Sequence, residues 1–340
     1  MALFFRYILM IFTIGILITH TAKSEEINSL NITKMIMPFA EKNVFKVPGY
    51  HTWGPQITHG EDGKYYMAYS RWAKEGGDWL LTSEIAIAVS DQADGPYTHE
   101  KVLLTGRGEG HWDELMAYNP KVKYFEGKYY LYYISSKNGP TRGHIRDSQR
   151  IGVAIADNIL GPYVRSDTPL IEPKKPIFNI TVNPGVTQMP DGRYLMILKG
   201  DITPKLPTDP MPQRIQGLAI ANSPTGPFKI LPDVAIKDID TEDATIWYDE
   251  KRELYFAVFH AHTHIGLIQS TDGINWKRAG NFIITENKLL REDGSYLSKE
   301  LEEPLQRPNI YIENGEPRAL ALAIPEPDDW HIIIVPLQND

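Results

Sequence analysis

The stretch HTWGPQITHGEDGKYYMAYS (51–70), continued by SEIAIAVSDQADGPY (83–97), decides the fold. An apolar strand runs into the Asp62-Gly63 turn, and a Tyr-rich alternating strand leaves it. Asp-Gly between two such runs is hairpin chemistry. A longer loop leads to a third strand of small and β-branched residues, and Gly95-Pro96-Tyr97 turns the chain into a fourth. The same grammar returns in AYNPKVKYFEGKYYLYYIS (117–135) with QRIGVAIADNILGPY (149–163), and in TVNPGVTQMPDGRYLMILK (181–199) with QGLAIANSPTGPF (216–228). It returns again in TEDATIWYDEKRELYFAVF (241–259) with IGLIQSTDGINW (265–276), and in LQRPNIYIENGEPRALALA (305–323) with DWHIIIVPL (329–337).

The aligned positions are Pro55, Pro120, Pro184, Ala244 and Pro308, spaced by 65, 64, 60 and 64 residues. Four antiparallel strands in each unit of about 60 residues make the blade of a β-propeller. The sequence therefore predicts an all-β, five-bladed propeller over residues 45–340. An open β-sandwich does not explain the regular period. Residues 25–44 read as a lead-in segment that closes the ring against the last blade, since an open ring would leave an edge strand unpaired. DITPKLPTDPMPQR (201–214) reads as a long loop inside blade three.

Residues 1–24 read as a secretory signal peptide: Arg6, a thirteen-residue apolar run from Tyr7 to Thr19, then Ala22-Lys23-Ser24. The run is short for a membrane span, although an uncleaved anchor is the alternative. The expectation is a periplasmic or secreted protein with no membrane span after cleavage. The chain has 340 residues and no Cys, so an exported fold must be held by its core. With 35 Lys+Arg against 43 Asp+Glu it carries a formal charge of −8, which argues against a nucleic-acid partner. Oligomeric state stays open.

The first strand of each blade lines the central channel of a propeller. That column reads His51-Thr52-Trp53-Gly54, Ala117-Tyr118-Asn119, Val182-Asn183, Thr241-Glu242-Asp243 and Gln306-Arg307. It predicts that His51, Asn119, Asn183, Asp243 and Arg307 meet at one mouth of the channel. Glu242 and Asp243 are neighbours on a strand, so at most one faces straight inward. The loops with His111-Trp112-Asp113-Glu114 and with Glu300, Glu302 and Glu303 enter blades two and five, and both should reach the same mouth. Two carboxylates across a pocket are what glycoside hydrolysis needs, one to protonate the leaving oxygen and one to activate water or attack. Glu242, Asp243, Asp113 and Glu302 are thus the catalytic candidates. His51, Trp53, Asn119, Arg150, Asn183, Lys199 and Arg307 are the candidates for holding substrate, with Arg150, Lys199 and the Arg71-Trp72 pair suited either to an acidic sugar or to ion pairs between blades. His260, His262 and His264 alternate along the chain. They suit either a metal or a single imidazole aimed at the sugar. No metal is assigned to the site and no cofactor is expected, while a structural divalent cation in the channel stays open.

The repeats, with Asp-Gly-Lys-Tyr-Tyr hairpins and Gly-Pro-aromatic turns, resemble the five-bladed propellers of glycoside hydrolase family 43 and its relatives, including family 117. The resemblance implies an exo-acting or debranching enzyme on plant or algal oligosaccharides, removing xylosyl, arabinosyl or related units. It also implies particular site positions. The family's Asp base stands before the Pro of blade one, where this chain has Gly54. A second Asp stands before the Pro of blade three, where it has Asn183. The general acid Glu corresponds to Glu242, followed here by Asp243-Ala244 in place of x-Pro, and blade five has Gln306-Arg307-Pro308 in place of Glu-Arg-Pro. A base is then expected from Asp113, Glu302 or Asp243, with His51 as a further acid–base group. A propeller that binds a saccharide without cleaving it is the alternative.

Overall fold

The computed structural model describes residues 30–205, 211–285, 288–297 and 304–338. The proposed leader and Glu302 lie outside these residues. Strand β1 (Val44–Phe45) precedes the repeats. Blade one is β2 (Tyr50–His59), β3 (Tyr65–Ala73), β4 (Glu84–Ser90) and β5 (Thr98–Leu104). Blade two is β6 (Tyr118–Phe125), β7 (Lys128–Ser135), β8 (Arg150–Ala156) and β9 (Val164–Arg165). Blade three is β10 (Phe178–Gln188), β11 (Tyr194–Asp201), β12 (Arg214–Ala221) and β13 (Lys229–Ile236). Blade four is β14 (Thr241–Asp249), β15 (Leu254–Ala261), β16 (His264–Ser270) and β17 (Lys277–Ile284). Blade five is β18 (Gln306–Glu313), β19 (Glu316–Ile324) and β20 (His331–Pro336), and β1 is its fourth, outermost strand.

Each blade is an antiparallel meander, and the five make a five-bladed propeller. The ring closes where Val44 pairs with Ile333 and Phe45 with Ile332. A strand from the start of the chain thereby covers the edge that the last strand would otherwise expose. Phe45 is buried edge-on against Tyr69 of blade one, with ring centroids 4.9 Å apart. Short helix α1 (Ile32–Met35) and Phe39 pack with Trp247, Phe256, Leu320 and Leu322 in the core shared by blades four and five. The other blades pack face to face in the same way, as where Ile85 and Ile87 of blade one meet Leu131 and Tyr133 of blade two. Each fully buried Leu, Ile or Phe contributes roughly 1.5–3 kcal/mol. The ring is therefore held by many equivalent interfaces without disulfides.

One local feature repeats in all five inner strands and shapes the site. The pairing of first and second strand shifts register between Trp53 and Gln56, Tyr118 and Lys121, Val182 and Gly185, Glu242 and Thr245, and Gln306 and Asn309. Each shift is a β-bulge, and its first residue has left-handed backbone: Gly54 (φ 62), Asn119 (51), Asn183 (51), Asp243 (60) and Arg307 (54). The following Pro has no N–H to lose at a bulge, which explains why four of the five are prolines. Glycine adopts this conformation freely, Asn tolerates it, and for Asp243 and Arg307 it costs about 1–2 kcal/mol each. Strain of this kind at two of the five equivalent places, Asp243 and Arg307, makes the channel mouth the candidate functional end.

Candidate active site

The bulge residues of all five blades converge on one narrow channel, and the side chains of four of them interlock. The side-chain amides of Asn119 and Asn183 meet at 2.8 Å, and the Asn119 oxygen accepts from Arg307 Nη1 at 2.7 Å. Asn183 Nδ2 and Arg307 Nη1 both donate to Asp243 Oδ1. Gly54 leaves room in the ring: a Cβ there would meet Asn119 Oδ1 at 3.1 Å. Together these residues form the floor of a cavity of about 440 Å³ at one mouth of the channel.

The cavity walls differ in chemistry. Trp53 and Trp330, with ring centroids 4.8 Å apart, and Trp79 and Tyr118, 5.5 Å apart, form an aromatic side. Arg146, Lys199, Arg214 and Glu242 form a charged side. Arg146 comes from helix α2 (Arg142–Asp147), inserted between β7 and β8 and capped by Thr141. It forks onto the fully buried Asp201, with Nη1 3.0 Å from Oδ2 and Nη2 3.1 Å from Oδ1. Lys199 Nζ donates to Glu242 Oε2 at 2.6 Å, and Arg214 donates to Glu242 Oε1 and to both oxygens of Asp240. Both oxygens of Glu242 are thus ion-paired. Burial, reinforced by Arg307, Arg214 and Arg146, pushes the Lys199 ammonium down to about 7, although Asp243 acts in the opposite sense.

The histidines of blade four divide. His260 is 2% exposed and lines the cavity. Neither ring nitrogen has a hydrogen-bond partner, and Nδ1 lies 3.9 Å from Asp243 Oδ2, which is also unpartnered. Burial, then Arg307, pushes its pKa down to about 3. His262 lies at the cavity wall with Nε2 2.9 Å from Asp240. His264 turns the other way, onto the ring of Phe259. The three do not share a face, because residues 262 and 263 form the turn between β15 and β16. Among the described residues they make no cluster fit for a metal.

Of the residues expected from sequence, Trp53, Asn119, Asn183, Lys199, Glu242 and Arg307 line the cavity, and Asp243 lies buried in its floor. Three are placed elsewhere. Asp113 is fully buried away from the cavity, holding Arg107 Nε at 2.7 Å, Tyr133 OH at 2.8 Å and Arg165 Nη1 at 3.1 Å. Burial alone would raise its pKa, but the hydrogen bonds from Tyr133, Arg107 and Arg165 outweigh it and hold the carboxyl below the usual range. Asp113 is a structural anchor of blade two, with no path to a sugar. Arg150 is also structural: its Nε meets Glu172 at 2.7 Å, and Nη1 donates to the carbonyls of Asp147, Gln149 and Asn179. His51 stands behind the aromatic side, against Trp72 and Trp330, and does not line the cavity. Arg71 pairs with Glu84 at 2.7 Å within blade one. Sequence reading missed Arg146, Trp79, Trp330 and Arg214. Arg214 had a signal: aligning Gly152 with Gly217 puts it at the repeat position of Gln149, which also lines the cavity.

Below the floor, the narrow channel is lined by Gly54, Asn119, Pro120, Lys121, Asn183, Asp243 and Arg307. Two cations against one carboxylate, whose Oδ1 is already taken, do not fit a divalent cation. Burial pushes the Lys121 ammonium down to about 7. Glu326, Asp329 and His331 do cluster at the blade-five rim, but Asp329 is spent on Lys46 and Lys74 at 2.6 Å each.

No family model matches the chain, and no curated protein sequence matches it. Solved structures do. A family 117 glycoside hydrolase of the marine bacterium Zobellia galactanivorans is 18% identical with a TM-score of 0.61, over 88% of each chain. A family 43 β-xylosidase/α-arabinofuranosidase from a compost metagenome, in complex with xylotriose, is 15% identical with a TM-score of 0.57, over 90% of this chain and 94% of that one. An endo-arabinase of Bacteroides thetaiotaomicron is 14% identical with a TM-score of 0.57, over 87% of this chain and 98% of that one. The chain has the five-bladed propeller fold of glycoside hydrolase families 43 and 117.

Proposed function

We propose that this chain is an exported glycoside hydrolase, exo-acting on plant or algal oligosaccharides, that holds a terminal sugar in the cavity. The observation that carries this is the pairing of an aromatic side, Trp53, Trp79, Tyr118 and Trp330, with a polar floor and the Glu242 carboxylate. Aromatic faces pack on the apolar faces of sugars, and the amides of Asn119 and Asn183 offer donors and acceptors to hydroxyls. The fold shared with glycoside hydrolases agrees with it.

Glu242 is the only carboxylate lining the cavity among the described residues. With Lys199 and Arg214 on its two oxygens it is held ionised, suited to orienting water or stabilising positive charge at the sugar carbon rather than to donating a proton. We assign the second carboxylate to Glu302, which lies outside the described residues, two positions before the cavity residue Pro304. Asp243, beneath the floor, fixes Asn183 and Arg307 and acts as a positioning residue.

A second reading, saccharide binding without cleavage, is favoured by one observation: Gly54 and Asn183 put no carboxylate on the floor where the related families place theirs. The test is product analysis on a panel of aryl glycosides and algal and plant oligosaccharides, for wild type and Glu242→Gln. Cleavage by wild type, with loss in the variant, supports the enzyme. Tight binding without any product supports the second reading.

A further inference from the structure

The cavity is more cationic than a neutral sugar requires. Among the described residues Arg146, Lys199, Arg214 and Arg307 all line it, against the carboxylate of Glu242, and the Glu302 assigned above would still leave cations in excess. The carboxylates that balance the arginines stand behind the lining. Asp201 behind Arg146 is fully buried, and Asp240 and Asp243 hold Arg214 and Arg307 without lining the main cavity. This order, carboxylates outside and cations inside, holds the guanidinium groups rigid and turns positive charge toward whatever occupies the space.

Donor capacity is also left over. Lys199 has three N–H groups and spends one on Glu242. Arg307 Nε is buried with no partner. Arg146 meets Asp201 and Asp147 through Nη1 and Nη2 only, which leaves Nε. His260, unpartnered and 2% exposed, lines the same space. A neutral sugar needs donors and acceptors in similar number, because each hydroxyl does both.

We propose that the sugar held in this cavity bears an anionic substituent, a carboxylate or a sulfate ester, received by Arg146 and Lys199 and supported by the charge of Arg214. This rests on the saccharide-site reading given above. The aromatic side and a volume of about 440 Å³ argue for an anion carried on a sugar rather than a free inorganic ion. The depressed Lys199 and His260 agree with it: both are pushed toward their neutral forms by burial and by neighbouring cations, a cost that a bound anion relieves.

The test is calorimetric binding of trigalacturonate, a glucuronate-capped xylo-oligosaccharide and a sulfated galactose disaccharide, each against its neutral counterpart, at low and high salt. Free sulfate and phosphate are separate arms. The expected result is that at least one acidic sugar binds about tenfold or more tighter than its neutral counterpart. That advantage should shrink at high salt and in Lys199→Met, and binding near pH 7 should take up protons, read from titrations in buffers of different ionisation heat. The uronate and sulfate arms tell which anion is preferred. Arg146→Gln should lose the same advantage. Should it fail to fold because Asp201 is left unpaired, the double variant R146Q/D201N restores the balance and gives the same reading. Neutral sugars binding as tightly as acidic ones overturns this inference and leaves the saccharide site standing. Free sulfate or phosphate binding as tightly as the acidic sugars also overturns it, and failure of every sugar to bind overturns both.

Discussion

Lys199 Nζ lies 2.6 Å from Glu242 Oε2, so the second strand of blade three is tied to the first strand of blade four across the charged side of the cavity. Both side chains are nearly enclosed, at 11% and 13% exposed. The pair therefore couples the one described cavity carboxylate to a lysine whose pKa burial pushes down to about 7.

Replacing Glu242 by Gln keeps the shape and removes the charge. We expect turnover on the best substrate to fall by about 10²–10⁴-fold, the usual scale of acid–base help. The thermal melt should fall, because Lys199 loses its partner while Arg214 keeps its contacts with Asp240, so turnover is read per folded molecule. Full turnover in the variant removes Glu242 from the mechanism.

Asp113→Asn should do the reverse. It leaves Arg107 and Arg165 facing an uncharged, fully buried amide. Breaking a buried ion pair costs about 3–5 kcal/mol. Urea unfolding should show that loss, while turnover per folded molecule is unchanged. A large fall in turnover with normal stability would return Asp113 to the chemistry.

Stability should depend on pH in a definite direction. Lys121 has its pKa lowered to about 7 in the fold, so above that the unfolded chain holds more protons and stability rises with pH up to the ordinary lysine range. His260 has its pKa lowered to about 3, so stability is lost as pH falls from about 6.5 toward 3. Lys121→Met should lessen the alkaline rise, to which Lys199 and Lys123 also contribute, and stabilise on the order of 1 kcal/mol at pH 7, by removing a buried charge with no ion-pair partner. Melts across pH in both variants, Lys121→Met and His260→Gln, decide this. Slopes identical to wild type would show that these groups do not carry it.

Phe45→Ala tests the ring closure. The side chain is buried on the two-residue strand that pairs with β20, and its loss should cost about 3–5 kcal/mol. Because the strand covers an edge, we also expect the variant to aggregate more readily on heating, followed by light scattering. A melt like that of wild type would mean the ring does not depend on this strand.

The blades were legible because their signals are local: a turn pair, an alternating Tyr-rich strand and a Pro after each bulge recur within a few residues of one another. The floor was legible for the same reason, since Asn119, Asn183, Asp243 and Arg307 share one place in the repeat. His51 was misjudged because it lies three residues before the bulge of blade one, and its ring turns behind Trp330. Asp113 was misjudged because its partners Arg107 and Arg165 come from either side in sequence, and only the fold brings Arg165 across 52 residues to meet it. Arg150 and Arg214 both open the third strand of their blades, but one register apart: Arg150 pairs opposite Ser135 and Arg214 opposite Asp201, so the two face opposite ways. Glu172 and three carbonyls hold the first, while Arg214 meets Asp240 and Glu242 at the cavity.

The five bulges also bear on how such a site can change over time. One backbone conformation accepts Gly, Asn, Asn, Asp and Arg at positions 54, 119, 183, 243 and 307. Each is a socket whose occupant can be exchanged while the blade around it keeps its hydrogen bonds. A lineage can therefore move a carboxylate from one socket to another, or discard it, by single substitutions that leave the architecture untouched. The fold is shared at identities of 18% and below, and the five sockets are where the chemistry at its mouth can change without disturbing it.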